Sequence, residues 1–249
     1  MAGNTKTSSN LWARLPNQWM AEDGLKFFRG GAEQGVSMAA LKVLVAVLCH
    51  AENNSVAKAG PNQGSATLSY TELCNLTGLS RGKVSSGIKK LKEGDFITVA
   101  REGQGGRNRF FLAHYGPNDR YAPLPLKKMW AGGLPSGEMK FLRGLSGKNQ
   151  SEFLALKLYL LLCGTRDRRT GAAKISYEGI YRRSGIPEAR IRGALSVLYD
   201  HGLVRRLEEK QPGADKRNPP NEYFIRGLDQ PRVGDAEGEA APTHNSVAA

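Results

Sequence analysis

The stretch "LCNLTGLSRGKVSSGIKKLKEGDFI" (residues 73–97) decides how this chain folds. Its second half is loaded with Arg81, Lys83, Lys89, Lys90 and Lys92, yet Val84, Ile88 and Leu91 recur at i, i+4 and i+7. That spacing gives a helix over 81–92 with one apolar stripe, and it leaves Arg81, Lys83, Ser85, Ser86 and Lys89 on the other sides. Ser80 stands before the helix as an N-cap, and Gly78 supplies a turn that tolerates positive φ. Upstream, Ser69 with Glu72 three residues on makes a capping-box start for a short helix ending near Leu76. Downstream, "EGD" ends the helix. Two strand-like segments, "DFITVARE" and "RFFLAHY", then flank "GQGGRN". An apolar-rich helix is expected over about 38–52, joined to the short helix by a polar loop within 51–68.

The same plan recurs. "SYTELCNLTGLSRGKVSSGIKKLKEGDFITVARE" (69–102) aligns without a gap on "SYEGIYRRSGIPEARIRGALSVLYDHGLVRRLEE" (176–209), an offset of 107. Ser69/Ser176, Tyr70/Tyr177, Gly78/Gly185, Leu91/Leu198 and Glu102/Glu209 are identical, and the apolar positions between them agree in kind. Further upstream, "LKFFRG" (25–30) matches "MKFLRG" (139–144) at an offset of 114. That offset also brings "LKVLVAVLCH" (41–50) onto "ALKLYLLLCG" (155–164). The change of seven residues falls in the polar loops 51–68 and 165–175, where length costs little. The second copy has its short helix after Ser176 and a following helix over 187–198, with Pro187 in the first turn. Its two strand-like segments, "LVRRLEE" and "EYFIRG", lie around "KQPGADKRNPPN". Each copy reads as helix, short helix, turn, helix, β-hairpin.

These residues resemble the winged helix-turn-helix family, in two tandem copies. "LCNLTGLSRGKVSSGIKKLKEGDFI" is particularly similar to the DNA-reading part of bacterial single-domain winged-helix regulators. The resemblance covers about 38–115 and 151–227, and it implies a mainly α fold with small β-hairpins (α+β). It also implies that the helix after the turn enters the major groove while the hairpin wing touches backbone. The residue chemistry agrees. Arg and Lys pair with guanine, Ser serves bases or phosphates, and residues near the helix N-terminus reach base edges. The expected DNA-binding set in the first copy is Ser80, Arg81, Lys83, Ser85, Ser86 and Lys89, with Arg107 and Arg109 on the wing. In the second copy Ile191, Leu195 and Leu198 repeat the inner stripe, but Glu188 stands where Arg81 stood. A carboxylate there can accept from cytosine or repel phosphate. Arg190 and Arg192 remain, with Arg182 and Arg183 on the preceding helix and Lys216 and Arg217 in the longer wing. The second module is therefore expected to read a different sequence or to act mainly as a basic clamp.

Composition points the same way. The chain has 249 residues and a formal net charge of +13. Residues 1–115 contribute +6, residues 116–228 contribute +10 and residues 229–249 contribute −3. Two basic halves with an acidic tail suit a phosphate backbone, whose neutralisation releases counterions. Cys49, Cys74 and Cys163 lie in apolar helical stretches, as expected for reduced thiols in a cytoplasmic protein. The most apolar runs, near 43–49 and 158–163, read as too short to span a bilayer, and "MAGNTKTSSN" lacks the apolar core of a secretory signal. His50, His114, His201 and His244 fall outside any metal-ligand spacing, and neither "GPNQGS" nor "GLSGKN" is a phosphate loop. No nucleophile–base set stands out. The expectation is a non-enzyme without metal or cofactor, whose partner is double-stranded DNA, with self-association or contact with replication or transcription machinery as further options and no membrane. The expected boundaries are a lead-in (1–24), a first domain (25–115), a Pro/Gly-rich linker (116–138), a second domain (139–228) and a disordered tail (229–249). A regulator or a maintenance factor of a plasmid or mobile element fits these features. The tandem architecture is also similar to plasmid replication initiators, and an interaction scaffold is the reading from another class.

Overall fold

The computed structural model describes residues 12–52, 63–102, 106–116, 119–130, 138–206 and 220–228. It is a mixed α+β protein with small antiparallel sheets. Strand β1 (Trp12–Pro16), the short helices α1 (Gln18–Ala21) and α2 (Gly24–Phe27) and a 3-10 turn (Gly31–Glu33) lead into the long α3 (Gln34–His50). β2 (Ser65–Ser69), α4 (Tyr70–Thr77), α5 (Arg81–Glu93), β3 (Ile97–Glu102) and β4 (Arg107–Leu112) come next. The second half opens with β5 (Tyr121–Pro125) and a 3-10 turn (Leu126–Lys128), then α6 (Lys140–Gly144) and α7 (Gln150–Thr165). It closes with β6 (Ala172–Ile175), α8 (Tyr177–Ser184), α9 (Glu188–Asp200), β7 (Val204–Arg206) and β8 (Asn221–Ile225).

The local signals act as the sequence predicts. Ser69 Oγ accepts from the Glu72 backbone N–H at 3.1 Å while the Glu72 carboxylate accepts from Ser69 N–H at 2.7 Å, so both halves of the capping box at α4 are made. Ser176 accepts from Gly179 N–H at 3.0 Å, the half that survives without the glutamate. Gly78 and Gly185 end α4 and α8 at φ 69° and 70°, in the left-handed region. Pro187 sits one position earlier than expected, as the cap residue before α9.

The polar loops hold more than the sequence predicts. Residues 65–69 and 172–175 are strands, so each sheet has three strands in the orders β2-β4-β3 and β6-β8-β7. Both are antiparallel with equivalent register. Ala66 faces Phe110 and Ala173 faces Tyr223, and these two aromatic rings are buried at 0% and 1% exposure. The offset of 107 therefore extends back to the first residue of β2 and β6. Such five- and four-residue strands are held by pairing and by the burial of alternate side chains, such as Ala66 and Leu68.

The segment 116–138 is also more than a linker. β5 pairs with β1 as a two-stranded antiparallel sheet, from Trp12↔Pro125 to Pro16↔Tyr121. Trp12 stacks on Tyr121 with centroids 5.5 Å apart, and Arg14, 5% exposed, lies over the Tyr121 ring at 4.5 Å. The buried guanidinium donates to the Gly116 carbonyl at 3.0 Å instead of meeting a carboxylate. The two strands also run on into similar segments, "LPNQWMA" (15–21) after β1 and "LPLKKMWA" (124–131) after β5.

One core runs through both halves. α3 packs on α5 and α7 on α9, and α3 also touches α7. The helical segment Gly31–His50 has a mean hydropathy of 1.5 and is long and apolar enough to cross a bilayer, contrary to the sequence expectation. Two thirds of its most apolar 18-residue window, 67%, is buried inside the protein, so internal packing accounts for its composition. Contacts across the seam are reciprocal: α2 packs on α8, α6 packs on α4, and β1 pairs with β5. Lys42 of α3, 2% exposed, donates to the carbonyls of Thr77 and Leu145; Lys157 of α7, 3% exposed, donates to Phe28 at 2.9 Å. Each ammonium thus holds the segment before the other half's long helix. The two lysines are 115 residues apart, one more than the offset the apolar runs suggest. Burial lowers both pKa values to about 8.

Candidate nucleic-acid interface

α5 divides as its sequence predicts. Val84, Ile88 and Leu91 are buried against the core, at 0%, 6% and 0% exposure. Gly87 joins them, because α5 approaches α3 so closely that a Cβ there would lie 2.9 Å from the Ala39 carbonyl carbon. Lys90 is also buried, with its ammonium 2.7 Å from Glu33 and 4.6 Å from the Phe27 ring centroid. That pairing holds the Glu33 carboxyl below its ordinary range, through the hydrogen bond from Lys90 and its charge. Ser80, Arg81, Lys83, Ser85, Ser86 and Lys89 are all exposed. From Arg81 to Lys92 this side carries no carboxylate. Arg81 lies 5.2 Å from the Tyr70 ring centroid, and Lys89 keeps 80% side-chain exposure despite Glu93 at 3.8 Å. Ser80 caps the helix through a long contact to Lys83 N–H at 3.5 Å, and Ser86 Oγ donates back to the Gly82 carbonyl at 3.0 Å.

The second half presents the same division with different chemistry. Ile191, Ala194, Leu195 and Leu198 of α9 are buried, while Glu188, Arg190 and Arg192 are exposed. Glu188 falls in the first turn, where a carboxylate complements the helix dipole. Arg182 and Arg183 are exposed in the last turn of α8. No ion pair engages Arg182, Arg183, Arg190 or Arg192 among the described residues.

Both arginines of the first hairpin are engaged within the protein. Arg107 closes the β3–β4 turn opposite Glu102, bound to the Glu72 carboxylate at 2.7 Å and to the Thr67 carbonyl at 3.2 Å. It clamps β4 onto the capped end of α4. Burial alone would raise the Glu72 pKa, but the hydrogen bonds from Ser69 and the charge of Arg107 hold it below the usual range. Arg109 is half-buried in β4 between Thr67 and Ala100, so it too belongs to the sheet and not to a free tip. At the matching register of the second sheet the charges are rearranged, with Lys174 and Glu222 paired at 2.8 Å. Lys216, Arg217 and the tail 229–249 lie outside the described residues.

Three cations that sequence reasoning missed sit near the seam. Arg143 of α6 reaches the Asn75 carbonyl of α4 at 3.1 Å, and its side chain packs beside Gly78. Arg120 and Arg168 line the clefts beside β5. The run Arg166, Arg168 and Arg169 was the available signal for Arg168, whereas Arg120 and Arg143 stand without another arginine beside them. The three thiols are free, and burial pushes Cys163 up to about 12 and Cys49 higher still, so neither carries thiolate character at neutral pH. No protein-family model matches this chain, and no curated protein matches it.

Proposed function

We propose that this chain binds double-stranded DNA through two tandem winged helix-turn-helix domains, at about 25–115 and 139–228. It acts as a sequence-specific transcriptional regulator or as a maintenance factor of a plasmid or mobile element. The observation that carries the reading is α5: buried on Val84, Gly87, Ile88 and Leu91, and exposed along Arg81, Lys83, Ser85, Ser86 and Lys89. A helix held by one face, with an uninterrupted basic and hydroxyl-bearing flank, is the element a major groove accommodates. Further support comes from the recurrence of the arrangement in α8 and α9 and from the net charge of +13. The seam contacts are reciprocal, as in an isologous dimer, so one chain offers two related reading helices in the way two subunits normally do. Because Glu188 replaces Arg81, the two half-sites differ in sequence.

A plasmid replication initiator that binds origin DNA is the alternative, since it needs the same contacts. Selection of bound duplexes from a random pool tests the reading and returns site length, symmetry and spacing together. With roughly six phosphates neutralised, affinity should fall about 10³-fold between 50 and 200 mM salt. A flat salt response would count against phosphate contact and favour a protein-docking scaffold.

A further inference from the structure

The two halves differ at the seam. In the first, the end of α3 meets an indole: Trp130, 4% exposed, lies edge-on to His50 with ring centroids 5.7 Å apart. Trp130 comes after β5 as Met20 comes after β1, in the matching stretches "MWA" and "WMA". α7 ends in Gly164 and Thr165 where α3 ends in Cys49 and His50. Met20 lies so close to Gly164 that a Cβ there would run into its methyl group. A thioether thus replaces the indole, and a glycine or threonine replaces the imidazole. The second half keeps an open cleft of about 600 Å³ at this place. Past Asn17 and Arg120 it continues into a second of about 360 Å³ along Tyr121 and Arg168.

The lining has a definite chemistry. Met20 and Leu161 are buried apolar residues on its wall. Arg120 from the connector and Arg183 from α8 also line it, exposed and without an ion pair among the described residues. The carboxylate of Asp119 turns back to accept from Gly116 N–H at 2.6 Å. Asn17 donates from Nδ2 to the Gly164 carbonyl at 3.4 Å, and its Oδ1 is buried with no donor. We propose that this cleft binds a small aromatic anion of about nucleoside-monophosphate size. The ring lies against Met20, at the place that Trp130 fills in the other half, and the anionic group meets Arg120 and Arg183. The volume lies in the range usual for such ligands. The bound molecule touches the lead-in of the first half, the connector and α8 of the second. It is therefore an effector placed to set how the two reading helices sit relative to each other. The effector role rests on the proposed DNA reading, whereas the binding itself is measured without DNA and stands or falls separately.

The test is calorimetric titration of the full chain with adenosine 5′-monophosphate and 1-naphthyl phosphate, each set against adenosine and inorganic phosphate. At least one aromatic anion should bind one-to-one and about tenfold more tightly than inorganic phosphate. Arg120→Ala should weaken it about tenfold, the loss of one charge-assisted contact. Met20→Trp, which copies the other half, should abolish binding with little change in melting. Should that variant fail to fold, Arg120→Ala, at an exposed position, decides. The proposal is overturned if neither aromatic anion binds, if inorganic phosphate binds as well as they do, or if Arg120→Ala binds them as tightly as the parent.

Discussion

Gly87 inverts an ordinary rule. Replacing a mid-helix glycine with alanine normally stabilises a helix, by up to about 1 kcal/mol. At Gly87 the new methyl would lie 2.9 Å from the Ala39 carbonyl carbon and 3.0 Å from the Ala39 oxygen and the Ala40 nitrogen. All three are backbone atoms, so no rotamer change relieves them and α5 must shift bodily away from α3. Overpacking of this kind costs about 1–3 kcal/mol, and rigid neighbours put it at the upper end, about 3. After the propensity gain, Gly87→Ala should be destabilised by about 2 kcal/mol, lowering Tm by about 4–8 °C. Gly82 is the internal control: it lies on the same helix, and a methyl there meets nothing within 4 Å. Gly82→Ala should melt at or slightly above the parent. The second half already carries Ala194 at the equivalent position, buried at 0% exposure, so the α7–α9 pair is spaced for a methyl. Thermal unfolding of the two variants side by side decides the matter. If Gly87→Ala melts as high as Gly82→Ala, the helices are not in backbone contact and the burial of α5 is misjudged.

Other perturbations address the turn, the exposed flank of α5 and the seam. Gly78→Val should cost about 1–3 kcal/mol, because a β-branched residue resists φ 69° and its Cβ would meet Arg143 Cγ at 3.2 Å; chemical denaturation that places the variant level with the parent would contradict this. On the proposed function, Lys83→Ala with Lys89→Ala, both exposed, should abolish sequence-selective binding while leaving Tm within about 4 °C of the parent, since surface changes are within about 0.5 kcal/mol each; normal site affinity would remove α5 as the proposed reader. Lys157 has a folded pKa near 8, below its unfolded value, so the unfolded chain binds more protons between about pH 8 and 10.5 and stability gains from this group as pH rises. Lys157→Met lacks that contribution. Denaturant unfolding at pH 7.5 and 9.5 should therefore show the parent gaining on the variant at the higher pH, and an unchanged gap would mean the ammonium is not buried.

The features written in local chemistry were legible in the sequence. Ser69 with Glu72, the turn glycines Gly78 and Gly185, and the Val84/Ile88/Leu91 spacing each act within a few residues. All appear where the alignment at offset 107 puts them. What escaped depends on distant partners. β2 (SATLS) and β6 (AAKI) are short and rich in small residues that suit a loop equally well, until β4 and β8 pair with them. β1 and β5 have meaning only together, and nothing in "WARLP" names a partner 109 residues away. Lys42 and Lys157 stand alone in apolar runs, a signal that a buried cation needs carbonyls, yet their acceptors belong to the other half. Arg107 looks like a free wing cation until Glu72 arrives from the cap of α4.

The pairing of β1 with β5 has a consequence for how the protein comes into being. Emerging from the ribosome, the first hundred residues cannot complete their own lead-in, because the strand that pairs with it ends at Pro125. Nor do they hold Leu145, which accepts from Lys42. The packing around α3 is therefore completed only after the second half has emerged. A chain cut short before Pro125 would lack one strand of that sheet and an acceptor of a buried ammonium, and it should melt below the full chain.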